Sequence, residues 1–105
     1  MMTEERLQYK GAWLRPTHRI VRIERTDAGV GDRLHRSMEG ARCLVPDPME
    51  GERALLLTEE REKPGRLQGV YTSQVLHVKR DHGGLTIQTR NSVYYLERLH
   101  RGFFS

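Results

Sequence analysis

Tyrosines and cations interleave along residues 70–98, and this pattern favours contact with nucleic acid. Aromatic rings stack on bases and Arg or Lys pair with phosphates on sheet surfaces that bind single strands. Fifteen of the eighteen cations of the chain are Arg, whose planar guanidinium suits bidentate contact with phosphate. An ordinary solvated β-face would carry the same residue types, and that alternative stays open. The candidate nucleic-acid or phosphate-binding surface consists of Tyr71, His77, Lys79, Arg80, Arg90, Tyr94, Arg98 and Arg101.

Four polar residues in the same stretch belong to the opposite face of the predicted sheet. Polar side chains that are buried without partners cost free energy, so these residues must bond to each other, to the backbone, to water or to a ligand. A structural hydrogen-bond network and a pocket for a small polar ligand such as a nucleotide both fit the pattern. The candidate pocket consists of Thr72, Gln74, Thr89 and Asn91.

Other reactive side chains form no complete catalytic or metal-binding pattern. Ser73 or Ser92 would share a face with His77, but no acidic residue is placed to orient the imidazole. The five histidines lack the spacing of metal ligands, and Cys43 has no Cys or His nearby for a zinc half-site. We therefore expect a protein that is not an enzyme, with no metal and no cofactor.

The placement of these candidate residues depends on one β-hairpin over residues 70–96. Two runs rich in β-branched and aromatic residues flank residues 81–84, whose paired glycines are expected to supply the positive φ of a tight turn. If Arg80 faces Leu85, alternation decides which residues share a face. The inward face then carries Val70, Thr72, Gln74, Leu76, Val78, Ile87, Thr89, Asn91, Val93 and Tyr95, and the outward face carries Tyr71, Ser73, Val75, His77, Gln88, Arg90, Ser92 and Tyr94.

A bulge at Asn91 and Ser92 is the alternative to this regular register. Asn tolerates the left-handed backbone conformations that a bulge can require. Such a bulge would exchange the directions of Tyr94 and Tyr95. The register beyond Arg90 therefore stays open.

Shorter apolar runs supply the remaining strands. Residues 17–25, 41–45 and 53–58 indicate strands, although Leu and Ala in the third run also favour helix. Residues 3–9 predict one short N-terminal helix. Five strands joined by short Gly or Pro turns predict a mainly β fold, a small five-stranded antiparallel barrel or half-open roll of SH3-like or OB-like form.

The 105 residues fit one domain with a small core. Within residues 1–105 we expect an N-terminal lead-in over 1–16, a β-barrel over 17–96 and a basic, aromatic tail over 97–105. In the lead-in, Trp13 is expected to plug one end of the core. Cys43 is expected to be a buried structural thiol, because a single cysteine allows no internal disulfide.

The net charge of +4 lies in the second half of the chain, since residues 1–52 carry nine basic and nine acidic residues. Such asymmetry favours an anionic partner. No apolar run approaches the roughly 20 residues that span a bilayer, and the first residues lack the apolar segment of a signal peptide. We therefore expect a cytoplasmic location and no membrane partner.

The hairpin also carries a T-S-x-V … T-x-N-S-x-Y pattern, formed by residues 72–75 and 89–94. This pattern resembles one in small bacterial and phage β proteins to which no function is attached. The resemblance covers about a quarter of the chain. It implies a phage or mobile-element origin and, with it, a protein that works by occluding a host factor.

Two functions follow from these patterns. The first is a non-enzymatic binding module, a small basic β-barrel that binds nucleic acid or a phosphate-bearing, nucleotide-like ligand. The alternative is a protein–protein interaction module, such as a phage or bacterial regulator, that docks through an open sheet edge or through Phe103 and Phe104. The same two rings would suit a homodimer. Steep salt dependence of binding would separate the first function from the second.

Overall fold

The computed structural model describes residues 6–26 and 37–99, and every regular element in them is a β-strand. None of the described residues forms a helix of the length and apolar character that crossing a bilayer requires. The strands are β1 (Leu7–Tyr9), β2 (Ala12–Leu14), β3 (His18–Arg25), β4 (Arg42–Leu44), β5 (Arg53–Glu59), β6 (Leu67–Arg80), β7 (Gly84–Thr89) and β8 (Ser92–Arg98).

Strands β3 to β8 form a closed antiparallel barrel in which neighbours in the chain are neighbours in the sheet, and β8 pairs with β3 to complete the ring. The mainly β prediction is confirmed. The prediction of five strands in a barrel or half-open roll is wrong in number, because the barrel has six and is closed. The predicted helix over residues 3–9 is also wrong where the structure describes it, since Leu7–Tyr9 is strand β1, paired with β2.

The sixth barrel strand arises from a turn at Arg90 and Asn91, which divides the second run of the predicted hairpin into β7 and β8. The hydroxyl of Thr89 donates to the carbonyl of Ser92 at 3.0 Å and accepts from the Ser92 backbone N–H at 3.1 Å. Neither turn residue has a positive φ. The pair also differs from the Asn-Gly or Asp-Gly pair that signals the favoured hairpin turns. The Thr89 hydroxyl thus bridges a turn that the sequence does not mark, and Thr26, Ser73 and Gln74 also form hydrogen bonds to its two residues.

This turn reverses the predicted directions of the two neighbouring tyrosines. Tyr94 is buried in the core, with 1% of its surface exposed, and Tyr95 lies on the outer face. The outward placement of Tyr94 in the regular register is wrong, and the exchange expected from a bulge is observed, although a turn causes it. Ser92, which the same register placed outward, is also buried.

The first run of the hairpin follows the predicted register only near its turn. Arg80 pairs with Leu85 and His77 with Gln88, but the register shifts between Val75 and His77. A bulge inserts one residue and so exchanges the faces of the residues beyond it. Leu76, predicted to point inward, is 50% exposed, and Val75, predicted to point outward, is buried.

The main hydrophobic core lies inside the barrel, and a smaller hydrophobic cluster lies outside it. Inward residues of all six barrel strands form the main cluster. On the outer side of β5, Leu57 and Leu67 pack with Leu7 of β1 beneath the two-stranded sheet.

Trp13 does not plug the core, because it is 60% exposed on β2. The prediction for Cys43 is confirmed, since the thiol is buried and burial raises its pKa to about 12.

Arg42 on β4 and Glu59 on β5 form a bidentate ion pair that joins the shortest barrel strand to its neighbour. The Arg42 Nε donates to Oε1 at 2.9 Å and an Nη to Oε2 at 2.8 Å, and the backbone N–H of Gly65 donates to Oε2 at 3.0 Å. These bonds lower the pKa of Glu59, and the hydrogen bond from Arg42 is the largest cause. The charged carboxylate therefore stabilises the fold.

The paired glycines of the β6–β7 turn have a different function from the one predicted. Neither Gly83 nor Gly84 has a positive φ, whereas Gly40, Gly51 and Gly65 do. A Cβ on Gly84 would overlap the backbone carbonyl oxygen of Leu96 on β8, while a Cβ on Gly83 would make only ordinary contact with Asp81. Gly84 is therefore required because β7 and β8 lie so close together there.

We predict that Gly84→Ala destabilises the protein by about 3 kcal/mol, because strand backbone must move to admit the methyl group. Gly83→Ala, the matched control one residue earlier, should change the free energy of unfolding by less than about 1 kcal/mol. Urea unfolding followed by circular dichroism measures both. Equal losses for the two variants would contradict the close approach of β7 and β8.

We predict that Glu59→Gln lowers the free energy of unfolding by about 2 kcal/mol at neutral pH, since it removes a charge-assisted bidentate pair. A carboxyl group with a lowered folded pKa stabilises above its ordinary pKa of 4.5 and loses that contribution as the pH falls through the folded value. The difference between wild type and variant should therefore shrink in acid. Glu62→Gln, at an exposed position, is the control and should track the wild type at each pH.

Candidate functional site

One end of the barrel carries cations at strand positions whose side chains belong to the inward face. Ile20 pairs with Leu96 in the core, and two residues nearer the barrel end His18 pairs with Arg98. Residues two apart on a strand share a face, so His18 and Arg98 lie above the core rather than on the outer wall. Arg80 pairs with the core residue Leu85 at the same end. We call His18, Arg80 and Arg98 the barrel mouth.

Backbone hydrogen bonds position the three strands of the barrel mouth. The N–H of Arg98 donates to the carbonyl of Gly83 at 2.9 Å, and the N–H of Leu99 donates to the carbonyl of Thr17 at 3.0 Å. The Thr17 hydroxyl lies 2.8 Å from Nδ1 of His18. This contact occupies Nδ1 of the His18 ring. The chain around the mouth is therefore ordered by backbone contacts that do not involve the cationic groups.

The only acidic partner of a mouth residue in the described part of the chain is Asp47. Its Oδ1 lies 2.7 Å from an Nη of Arg80, and its side chain is 82% exposed. An exposed pair of this kind contributes little, about 0–1 kcal/mol. Arg98 has no carboxylate within ion-pair distance among residues 6–26 and 37–99. The described residues therefore neutralise the positive charge of the mouth only in part.

The pKa of His18 responds to this positive charge. Partial burial lowers the pKa of His18, and the positive charges of Arg98 and Arg80 lower it further. The imidazole is consequently neutral at pH 7. An anion that entered the mouth would offset both guanidinium charges and favour the imidazolium form.

The structure separates the predicted site residues into several regions. Tyr71 and Arg80 are nine residues apart on β6, which places them up to about 30 Å from each other. Arg53 lies over the ring of Tyr71, 5.6 Å from its centroid. Arg90 is in the β7–β8 turn, where its backbone N–H donates to Gln74. The predicted single surface is therefore not formed.

The other predicted site residues, among them His77, Lys79 and Tyr94, lie in different environments. His77 lies 3.4 Å from a carboxylate oxygen of Glu50, and Lys79 is exposed on the outer wall beside the mouth. Tyr94 is buried and offers no ring face to a ligand. Arg101, Phe103 and Phe104 lie outside the described residues.

The predicted polar pocket is also divided. Thr72 and Thr89 are buried, and Gln74 and Asn91 are exposed. The Thr72 hydroxyl accepts from the Ala54 N–H at 3.0 Å and donates to the Ser73 carbonyl, and Thr89 bonds to Ser92. Backbone groups thus satisfy both buried hydroxyls, which favours the structural network over a ligand pocket.

Ser73 and Ser92, the serines considered as nucleophiles, have structural surroundings, and the described residues show no metal site. Ser92 is buried, and the Ser73 hydroxyl accepts from the backbone N–H of Asn91 at 3.1 Å. Among residues 6–26 and 37–99, no three His, Cys, Asp or Glu side chains could hold a metal ion together. Neither serine is therefore placed as the exposed nucleophile considered from the sequence.

A separate groove has a volume of about 420 Å³ and is lined by residues 37–41, 59–61, Pro64 and Gln68. Its charged lining is mainly acidic. Glu59 pairs with Arg42, Glu39 accepts from the backbone N–H of Ile23, and Arg61 donates to the carbonyl of Ser37. The groove is therefore lined mostly by carboxylates, unlike the barrel mouth.

Comparison with known protein families, curated proteins and solved structures found no match. Sequence reasoning selected Arg80 and Arg98 but missed His18 and Asp47. A signal for His18 was present, since it lies two residues before Ile20 in a predicted strand and hence on the same face.

We predict that nuclear magnetic resonance titration of the His18 ring gives a pKa below the ordinary value of 6.5. Arg98→Gln should raise that pKa, because it removes the positive charge that lowers the pKa most after burial. Arg90→Gln, which removes the same charge at the distant β7–β8 turn, is the control and should leave it unchanged. A pKa that did not respond to Arg98→Gln would contradict the proximity of the two side chains.

Proposed function

We propose that this chain is a non-enzymatic binding module that binds nucleic acid or another phosphate-bearing ligand, with the phosphate in the barrel mouth. The observation that carries the proposal is the convergence of His18, Arg80 and Arg98, from three different strands, on inward-facing positions at one end of the barrel. Arg80 and Arg98 are exposed at this end, and both place positive charge close to His18. A ligand of opposite charge would balance that charge.

The chemistry of the three groups fits a phosphate. Each guanidinium offers a planar pair of N–H donors that matches two phosphate oxygens. The imidazole adds a donor through Nε2 when Nδ1 faces the Thr17 hydroxyl. Val45 and Val78 are half-buried against the core at this end and provide an apolar floor, which strengthens electrostatic contacts above it.

Charge elsewhere supports an anionic ligand. The chain carries a net charge of +4, which raises the local concentration of anions and their association rate. Asp81 and Glu97 lie near the mouth, but both are engaged. Asp81 accepts from the backbone N–H groups of Gly83 and Gly84, and Glu97 lies 3.9 Å from Nε of Arg19.

Of the two barrel types expected from the sequence, we propose the SH3-like one. Consecutive strands are neighbours throughout the closed sheet, whereas the OB-fold is a Greek-key barrel. This barrel end is then a surface formed by strand termini and turns, which is where functional residues commonly lie.

One observation favours the protein-interaction alternative. Strand β2 pairs only with β1 among the described strands, so its other edge is open, and Trp13 on it is exposed. Exposed strand edges bind extended peptide segments by strand addition, and aromatic side chains often anchor such contacts. Association through this edge would be insensitive to salt, unlike binding at the mouth.

We predict that the protein binds adenosine monophosphate and that adenosine, which lacks the phosphate, binds far more weakly. Arg98→Gln should weaken nucleotide binding about 10- to 100-fold, the effect of losing a charge-assisted hydrogen bond. Binding should also weaken between about 50 and 200 mM salt. Isothermal titration calorimetry measures each affinity.

Arg90→Gln is the matched control and should keep the wild-type affinity, since it removes the same charge from the β7–β8 turn. Equal affinity for adenosine and its monophosphate, or equal losses in the two variants, would exclude the barrel mouth as a phosphate site. Salt-insensitive association with a protein partner, abolished by Trp13→Ser, would favour the alternative.

A further inference from the structure

The outer wall of the sheet beside the barrel mouth carries two rows of side chains that the proposed function leaves unused. Register aligns both rows across β6, β7, β8 and β3. Side chains of paired residues share a face of the sheet, and no described strand covers this one. We call the two rows the outer platform; they are Lys79, Thr86, Tyr95 and Arg22, nearer the mouth, and His77, Gln88, Val93 and Glu24.

A fixed pair of flat groups lies at the centre of the outer platform. The guanidinium of Arg22 lies 4.4 Å from the ring centroid of Tyr95. Glu24 accepts from the Tyr95 hydroxyl at 3.1 Å and lies 3.2 Å from an Nη of Arg22. Nucleic-acid bases stack on aromatic rings and on guanidinium planes. The pair therefore presents a preformed stacking surface.

One row of outward positions, which includes Gly84 and Glu97, separates the outer platform from the barrel mouth. Tyr95 precedes Arg98 by three residues on β8, about 10 Å along the strand, or about three stacked-base steps of roughly 3.4 Å. Lys79 is adjacent to Arg80 on β6. Between these strands the outward position nearest the rim is Gly84, which has no side chain. A chain can thus pass from the mouth to the platform without meeting a side chain of β7 at the rim.

We propose that the ligand of the barrel mouth is the terminal phosphate of a single-stranded nucleic acid whose following bases stack on Arg22 and Tyr95. Lys79 lies beside this path and pairs with the next backbone phosphate. The strand must be single, because the faces of bases within a duplex are already stacked on each other. This inference rests on the proposed function of the mouth and names its ligand class.

The test uses tetrathymidylate in three forms, phosphorylated at the 5′ end, at the 3′ end or at neither end. Binding to the full chain is measured by fluorescence anisotropy or calorimetry, with thymidine monophosphate as the single-nucleotide reference. One phosphorylated form should bind at least about tenfold more tightly than the unphosphorylated form and than thymidine monophosphate, since stacking adds to the phosphate contact.

Tyr95→Leu should remove the gain of the tetranucleotide over the mononucleotide, about tenfold or more, and leave mononucleotide affinity unchanged. Arg22→Gln should also reduce the gain of the tetranucleotide over the mononucleotide. This second variant keeps the Tyr95–Glu24 hydrogen bond, whose loss in Tyr95→Leu could impair folding. Tyr71→Leu is the matched control, because it removes an exposed ring from the distant part of β6. Its affinities should equal those of the wild type.

The outcomes separate this inference from the proposed function. If thymidine monophosphate binds in the mouth but the phosphorylated tetranucleotides bind no more tightly, the stacking surface is excluded and the phosphate site stands. If all three tetranucleotides bind equally and depend on Tyr95, while the mononucleotide does not bind, the terminal-phosphate contact and the mouth are both excluded. A larger effect of Tyr71→Leu than of Tyr95→Leu also overturns the inference.

Discussion

The hydrogen bonds between the Thr89 hydroxyl and the backbone of Ser92 determine which residues of β8 point inward. They close a turn in which neither residue has a positive φ, and from there side chains alternate without interruption to the barrel end. Tyr94 and Leu96 enter the core, and Tyr95 remains on the outer wall. Arg98 is therefore the next residue on the inward face. A slip of one residue would exchange all of these positions, so the mouth and the outer platform both depend on this turn.

The barrel mouth shows how a small core can end in polar groups. The inward series on β3 passes from Ile23 through Ile20 to His18, with a bulge between Ile20 and Arg22 that keeps both isoleucines inside. At the last position an apolar side chain would be half exposed, whereas a cation reaches solvent or a ligand. Partial burial, followed by the charges of Arg98 and Arg80, lowers the pKa of His18, so the imidazolium form costs stability in the free protein once the pH falls below the ordinary value of 6.5. Such a cost is typical of sites built for binding rather than for stability.

Much of the fold could be predicted from alternation and turn residues. The mainly β class, the β6–β7 hairpin near its turn and the burial of Cys43 all follow from local pattern. The errors arise where one residue is inserted or one turn is unmarked. The bulge at Leu76 changes the face of Val75, the turn at Arg90 and Asn91 changes the faces of the residues of β8, and neither has a Gly to signal it. A short-range pattern cannot reveal a register that tertiary contacts decide.

The candidate site was harder to predict, because its residues come from strands far apart in the chain. Arg80 and Arg98 were selected for their charge, but only the pairing of β8 with β3 brings His18 between them. The polar residues Thr72 and Thr89 were expected to need partners, and they have them in the backbone. Tyr94 and Tyr95 could not be distinguished without the turn. Residue type thus indicated the chemistry, and topology decided which groups meet.

Closure of the barrel by the pairing of β8 with β3 has a consequence for how the protein reaches its native state. The two strands are separated by most of the chain, so their contact forms against a large loss of chain entropy and belongs to the slow, non-local steps of folding. Because His18 and Arg98 become neighbours only in that step, a ligand bound between them, as proposed, would contact the completed barrel and no earlier intermediate. Such binding would favour closure of the barrel by mass action and hold the first barrel strand to the last.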